Sequence, residues 1–339
     1  MAAKRLRAGF SLLQYALMTA VTLITLLFCV CAGSVQVPPL EALSAIFGRA
    51  SGINGSIILN VRLPRVIAVM LSGAMLSLSG GAMQGLLRNP LADGSTFGVS
   101  AGASLGATLA IALGFSIPGV AGGATTVTAV VFAFLSLALI LLLAGRLEGS
   151  LSSNTIILVG VIFTMFANSL TSLIVTFAGE KVRTIMFWTM GSLAGSTFRD
   201  DIWLAASLIA FGAAVLSFSS ELNAFALGEE NAKSVGVDVR RVKRRVLISV
   251  SALIGVSVSV GGTIGFVGLV VPHMTRMLVG PDHRRLLPAS MFAGGVFLML
   301  ADLASRVVMK PLELPIGVIT SFIGSIAFVF IFFRTGRAK

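Results

Sequence analysis

Few side chains in this sequence have the types and spacing that a reaction needs. His273 and His283 are the only histidines, and neither has a cysteine or carboxylate at metal-ligand spacing. The two cysteines, Cys29 and Cys31, both lie in one apolar stretch, which excludes a disulfide scaffold. There is no Gly-x4-Gly-Lys phosphate loop, nor any Gly-Lys dipeptide, so the chain cannot hold a nucleotide in that way. Asp302 is the only acidic residue well inside an apolar run, and Ser100 and His273 fit no nucleophile pattern. An intramembrane protease would need a buried Ser–His pair or two intramembrane Asp. Arg306 stands one helical turn after Asp302, so an i,i+4 ion pair is the simpler reading than a coupling-ion site, which usually gathers several ionisable groups at mid-membrane. No catalytic residue, metal or cofactor is assigned, and an enzyme is not expected.

The elements that must position these residues are apolar. Hydrophobic residues make up 56% of the 339 and charged residues 11%, with a mean hydropathy of +1.00. A soluble domain carries roughly 25% charged residues. The apolar content also excludes disorder. A polytopic membrane protein remains. The net charge of +12 does not indicate nucleic acid, because Lys and Arg sit in short tracts between apolar runs, where they set membrane orientation.

A spanning helix needs about 20 mostly apolar residues. The charge-free run 94–145 is too long for one span and breaks at Ser116-Ile117-Pro118-Gly119 and Gly122-Gly123. The run 246–275 must also bend, at Gly261-Gly262-Thr263-Ile264-Gly265, or else the Arg284-Arg285 loop and the C-terminal Arg334, Arg337 and Lys339 would face outward. The expectation is a single all-α transmembrane domain over 1–339 with ten spans. These lie near 12–32, 66–87, 95–115, 120–145, 154–178, 202–219, 243–261, 264–278, 289–308 and 314–333. Lys4, Arg5 and Arg7 mark a cytoplasmic start with an uncleaved first helix, the C-terminus is cytoplasmic too, and about two-thirds of the 25 Lys and Arg then lie inside. Broken helix is costly in lipid, so the 261–265 turn and the segment 184–196 should pack against protein or line a cavity. The small residues of Gly73-x6-Gly80-Gly81 and of Gly98, Gly102 and Gly106 suit close helix packing more than ligand contact.

Three stretches carry a resemblance. Residues 62–107 hold Arg-Leu-Pro-Arg-Val, Ser-Gly-Gly-Ala-Met-Gln-Gly-Leu-Leu-Arg-Asn-Pro-Leu-Ala-Asp and Gly-Val-Ser-Ala-Gly-Ala-Ser-Leu-Gly-Ala. Residues 261–288 hold Gly-Gly-Thr-Ile-Gly-Phe-Val-Gly-Leu-Val-Val-Pro-His-Met-Thr-Arg and then Asp-His-Arg-Arg-Leu-Leu-Pro, and 313–318 read Glu-Leu-Pro-Ile-Gly-Val. From about residue 12 to its end the chain resembles the FecCD-like permeases of ABC importers for iron–siderophore complexes, haem and cobalamin. It departs at Gly94, where the family more often has Pro, and only a local loop change is expected. The resemblance implies the ten-span fold of a type II importer permease in the inner membrane of a prokaryote. It also implies two cytoplasmic ATPase subunits, an extracytoplasmic binding protein, and a second permease subunit, identical or paralogous. Ferric siderophore is the first expectation for the cargo, ahead of haem and cobalamin.

The same resemblance implies roles for particular residues. In the inside loop, 221–240 would be the ATPase-coupling region, with Leu227, Gly228, Glu229, Glu230, Ala232, Val235 and Gly236 at the contact. Two short helices are expected between Ala224 and Val237, joined at Gly228 and ended by Gly236, although by composition alone this is equally a solvated charged loop. Arg240 to Arg245 would anchor the next span at headgroups. Arg62, Arg65 and Arg306 defy the orientation trend at the outer side. The family suggests salt bridges from them to the binding protein, and headgroup snorkelling is the alternative. Asn89 and Leu91, with Ser153 and Asn154, match a cytoplasmic gate, while helix capping explains Ser153 and Asn154 more simply. Apart from the resemblance, the rival function is a secondary transporter driven by an ion gradient without an ATPase.

Overall fold

A computed structural model describes residues 9–33, 37–46, 53–94, 97–117, 122–148 and 152–336. The basic residues Lys4, Arg5 and Arg7, the terminal Arg337 and Lys339, and Pro118-Gly119 of the expected break lie outside them. Among the described residues the chain is helical, without β-strand. The longer helices are α1 (Leu12–Cys31), α2 (Leu63–Leu86), α3 (Val99–Leu113), α4 (Gly123–Leu147), α5 (Ser153–Phe177), α6 (Phe198–Ser217), α7 (Val239–Gly261), α8 (Val267–Val279), α9 (His283–Val307) and α10 (Ile316–Gly336). Seven are long and apolar enough to cross a membrane, and α3, α8 and the apolar part of α10 are shorter.

Local chemistry sets the helix ends. Ser11 and Gln14 close a capping box at α1, and Ser152, Asp238 and Asp282 cap α5, α7 and α9 by accepting from backbone amides. The cap of α5 is therefore Ser152, and Ser153 and Asn154 already lie in its first turn. Pro64 sits in the first turn of α2, where no amide hydrogen is needed. Helical structure begins before the expected residue 66, because a π turn, Ile58–Arg62, leads straight into α2.

Burial sorts the bundle. In α2 83% of the most apolar window is buried, against 17% in α1 and 22% in α5. Leu12, Leu13, Leu17 and Ile24 all point away from the protein on α1, an apolar surface that suits lipid and not water. The centre is α2 packed along α9 and α8, with α7 beside it. That packing needs glycine. A Cβ on Gly73 would stand 2.3 Å from the Gly294 carbonyl of α9, and one on Gly80 would stand 1.8 Å from the Gly268 carbonyl of α8. Backbones touch directly there, as small-residue interfaces in membranes require. Gly102 and Gly106 do the same for α3 against Ser136 and Phe132 of α4.

The two interrupted segments satisfy each other. Helix α7 stops at Gly261, and α8 starts at Val267. The Ser192 amide donates to the Gly261 carbonyl at 2.8 Å, and Thr263 donates its hydroxyl to the Thr189 carbonyl. Ile316 and Gly317, at the head of α10, donate to the carbonyls of Gly191 and Met190 at 3.1 and 3.2 Å. Irregular backbone is thus buried in protein, the condition under which a membrane tolerates it.

Candidate functional site: the two ends of the bundle

The segment between α6 and α7 forms two short helices, Ser219–Phe225 and Glu229–Ser234. Gly228, at φ +110°, joins them, and Gly236, at φ +88°, follows the second. Both conformations are strained for residues with a Cβ. The pair has two distinct sides. Leu222, Phe225 and Ala232 are fully buried, whereas Leu227 and Val235 are 68% and 69% exposed. Its inner side is therefore anchored while two aliphatic side chains project. Asn223 donates to Asp282 at 2.6 Å and accepts from the His283 amide at 2.8 Å, which fixes the first short helix to the head of α9. Glu230 pairs with Lys233 at 2.8 Å, and that hydrogen bond holds the exposed Lys233 ammonium above its ordinary pKa.

Glu229 has a different environment. Its Oε1 accepts from Lys243 Nζ of α7 at 2.7 Å and from Ser153 Oγ of α5 at 3.1 Å. The structure thereby joins one expected coupling residue to one expected gate residue. Asn89, just past α2, folds back to accept from the Leu91 amide at 2.9 Å, and Leu91 and Asn154 are exposed. Lys243 corrects the headgroup-anchor reading of 240–245. Arg240, Arg241, Arg244 and Arg245 are exposed, but the Lys243 side chain is fully buried.

At the opposite end Arg62, Arg65 and Arg306 turn inward, with residue exposures of 5–7%. That burial excludes snorkelling. Arg62 Nη1 donates to the carbonyls of Val30 and Cys31 at 3.0 and 3.2 Å. Arg306 donates to Cys29 and Ala32 carbonyls, both at 3.1 Å. They satisfy the last-turn carbonyls of α1, where cations also suit the helix dipole. Asp302 lies between two arginines, in contact with Arg65 at 2.9 Å and with Arg306 at 3.0 Å. Arg65 also reaches Glu313 at 2.7 Å, whose side chain is 43% exposed. The i,i+4 pair foreseen from sequence is present, but Arg65 and Glu313 as its further members were not. A partner protein approaching here meets guanidinium groups already paired within the chain.

A bundle of apolar helices with glycine-mediated backbone contacts, broken helices buried in protein, and a projecting pair of short helices at one end has the architecture of a polytopic membrane protein. The FecCD transport family model matches residues 21–334, and the chain belongs to that family. It is 41% identical to the uncharacterized ABC transporter permease protein YvrB of Bacillus subtilis, over 97% of this chain and 93% of that one. It is 37% identical to the vitamin B12 import system permease protein BtuC of Klebsiella pneumoniae, over 94% of this chain and 92% of that protein. Among solved structures, a metal-chelate type ABC transporter in an inward-facing conformation superposes with a TM-score of 0.82 at 31% identity, covering 94% of this chain and 97% of the other. The chain is therefore a transport subunit and not an enzyme, with ATP hydrolysis done by a partner ATPase, and the ion-coupled secondary transporter is set aside.

Proposed function

We propose that this chain is the permease through which a bulky metal chelate of the ferric siderophore, haem or cobalamin class, handed over by an extracytoplasmic binding protein, enters the cytoplasm of a prokaryote. From the sequence motifs alone ferric siderophore stands first. The relatives named for vitamin B12, at 37% identity in Klebsiella pneumoniae and 40% in Halobacterium salinarum, move cobalamin to the front. In this reading α1 to α10 each cross the inner membrane, both termini are cytoplasmic, and two permeases, identical or paralogous, work with two ATPase subunits.

The observation that carries the proposal is the anchored, projecting pair of short helices. Leu227 and Val235, with Gly228, Glu230 and Gly236 shaping the turns around them, form the contact that seats in a cleft of the ATPase. The buried Ala232 and Phe225 make the element rigid enough to transmit a push. Arg62, Arg65 and Arg306 lie at the docking end. Buried and already paired, they supply positive potential toward an acidic partner and hold the outer end of α1 in shape. Asn89, Leu91, Ser153 and Asn154 form the cytoplasmic gate. Nucleotide binding to the ATPase supplies the preference between inward- and outward-facing states, since a ligand shifts an equilibrium only by its differential affinity.

The test is reconstitution of the permease with the ATPase that copurifies from native membranes and with the matching binding protein. ATP-dependent uptake of labelled cyanocobalamin that unlabelled ferric siderophore does not compete supports the cobalamin reading. Uptake of the ferric chelate alone replaces it with the siderophore one. Purification without any nucleotide-binding subunit, with transport that follows an ion gradient, would refute the importer mechanism.

A further inference from the structure

We infer that Glu229 is the joint through which movement of the ATPase-contacting helix reaches α5 and α7 together, and that Lys243 is the positioning residue that holds this joint closed. The inference rests on the coupling reading of 221–240 and goes beyond it by naming the connection to the gate. Three elements meet on one carboxylate oxygen. Glu229 is the first residue of its short helix, Ser153 the first residue of α5, and Lys243 sits in the second turn of α7. The end of α2 is close as well, since Arg88 Nη1 lies 3.8 Å from where a Cβ on Gly228 would be.

The physics of burial makes this a rigid connection. The Lys243 side chain is wholly removed from solvent, and an ammonium in such a place persists only with a charged partner. Displacing the short helix while Lys243 stays put would break the 2.7 Å ion pair with a buried cation, so α7 and the short helix move as one body. Ser153 adds α5 to it at 3.1 Å. Along its length α5 is loosely held, with Ile156, Val159, Gly160 and Ala167 as its only buried residues among those described. A weakly packed helix tethered at its head follows the tether. Asn154, exposed beside Ser153, reports that movement.

The experiment uses the complex purified with its ATPase, carrying Asn154→Cys as a label site; Cys29 and Cys31 are buried. The rate of maleimide labelling is measured with and without ATP–vanadate trapping, alongside ATP hydrolysis. In the otherwise unaltered permease trapping should change the rate at least about fivefold, the lower range of allosteric coupling. In the Lys243→Met and Ser153→Ala backgrounds that change should fall below about twofold, with hydrolysis per complex retained, because the contact to the ATPase is intact. Glu229→Gln combined with Lys243→Met should be no worse than the more affected single variant, as expected for residues acting through one contact. A full nucleotide-dependent change in Ser153→Ala, a variant that removes one hydroxyl from a half-buried position, overturns the inference even if Lys243→Met is lost from the membrane. Absence of any nucleotide-dependent change in the otherwise unaltered permease overturns the coupling reading itself.

Discussion

Asp302 holds two buried guanidiniums, and its neutralisation should be among the most damaging single changes in the chain. Its side chain is 2% exposed, with Arg65 contacting it at 2.9 Å and Arg306 at 3.0 Å, themselves 9% and 5% exposed. Asp302→Asn keeps the shape and removes the charge. Arg65 retains Glu313 at 2.7 Å and Arg306 retains two carbonyls, so neither cation is left without a hydrogen-bond acceptor. What remains is repulsion between two desolvated cations without the anion between them. Removing one member of a buried ionic cluster typically costs about 3–5 kcal/mol. The retained acceptors place the expected loss near the lower figure. With an unfolding entropy of ~2.1 cal/mol/K per residue, each kcal/mol corresponds to roughly 1.5 °C in a chain of this length, so the thermal midpoint should fall by about 4–5 °C. The assay is thermal unfolding of the detergent-solubilised permease followed by size-exclusion chromatography. The triple variant Arg65→Met, Asp302→Leu, Arg306→Met, which removes all three charges, should recover much of the loss, because apolar replacement of a buried ion cluster is often neutral. A midpoint for Asp302→Asn within about 1 °C of the parent, less than one kcal/mol on the same scaling, would refute the reasoning.

Two further outcomes follow from packing and exposure. Gly80→Leu places side-chain atoms where the Gly268 carbonyl would lie 1.8 Å from the first of them, so α2 and α8 must part; the variant should be recovered poorly from membranes and lose all uptake, whereas Ala at the open Gly195 should be neutral in both measurements. Leu227→Glu alters a side chain 68% exposed at the projecting tip; copurification of the ATPase should drop at least tenfold while the thermal midpoint shifts by less than about 1 °C, and an undiminished yield of ATPase would remove Leu227 from the contact.

Sequence reasoning reached the positions of the broken segments because glycine and proline advertise them locally. Gly261 and Gly262 interrupt an otherwise continuous apolar run, and the cost of unpaired backbone in lipid demanded a protein partner for them. The identity of that partner was not legible. The Ser192 amide meets the Gly261 carbonyl, and the Thr189 carbonyl the Thr263 hydroxyl, from a segment before α6, and no local pattern encodes that pairing. Lys243 was legible in principle. It shares a helical face with the buried Val239, Val246, Leu247 and Val250, a spacing that points inward, but the arginines on either side made the whole tract look like a headgroup anchor.

The apolar composition and the motif stretches, both properties of local sequence, were enough to determine a polytopic helical permease and its family. Gly228 and Gly236 pointed to two short helices between Ala224 and Val237, with a solvated loop equally open, and the structure begins the first of them earlier, at Ser219. Only the tertiary structure decided where the charges go. Arg62, Arg65 and Arg306 stand together at the end of the bundle opposite the two short helices, yet they point into it, because the free carbonyls of α1 and the carboxylate of Asp302 lie within reach and desolvation makes an unpaired guanidinium too costly. Whether a charge faces a partner protein or its own chain depends on which acceptors the fold brings within about 3 Å, and sequence spacing carries that information only within a single helix.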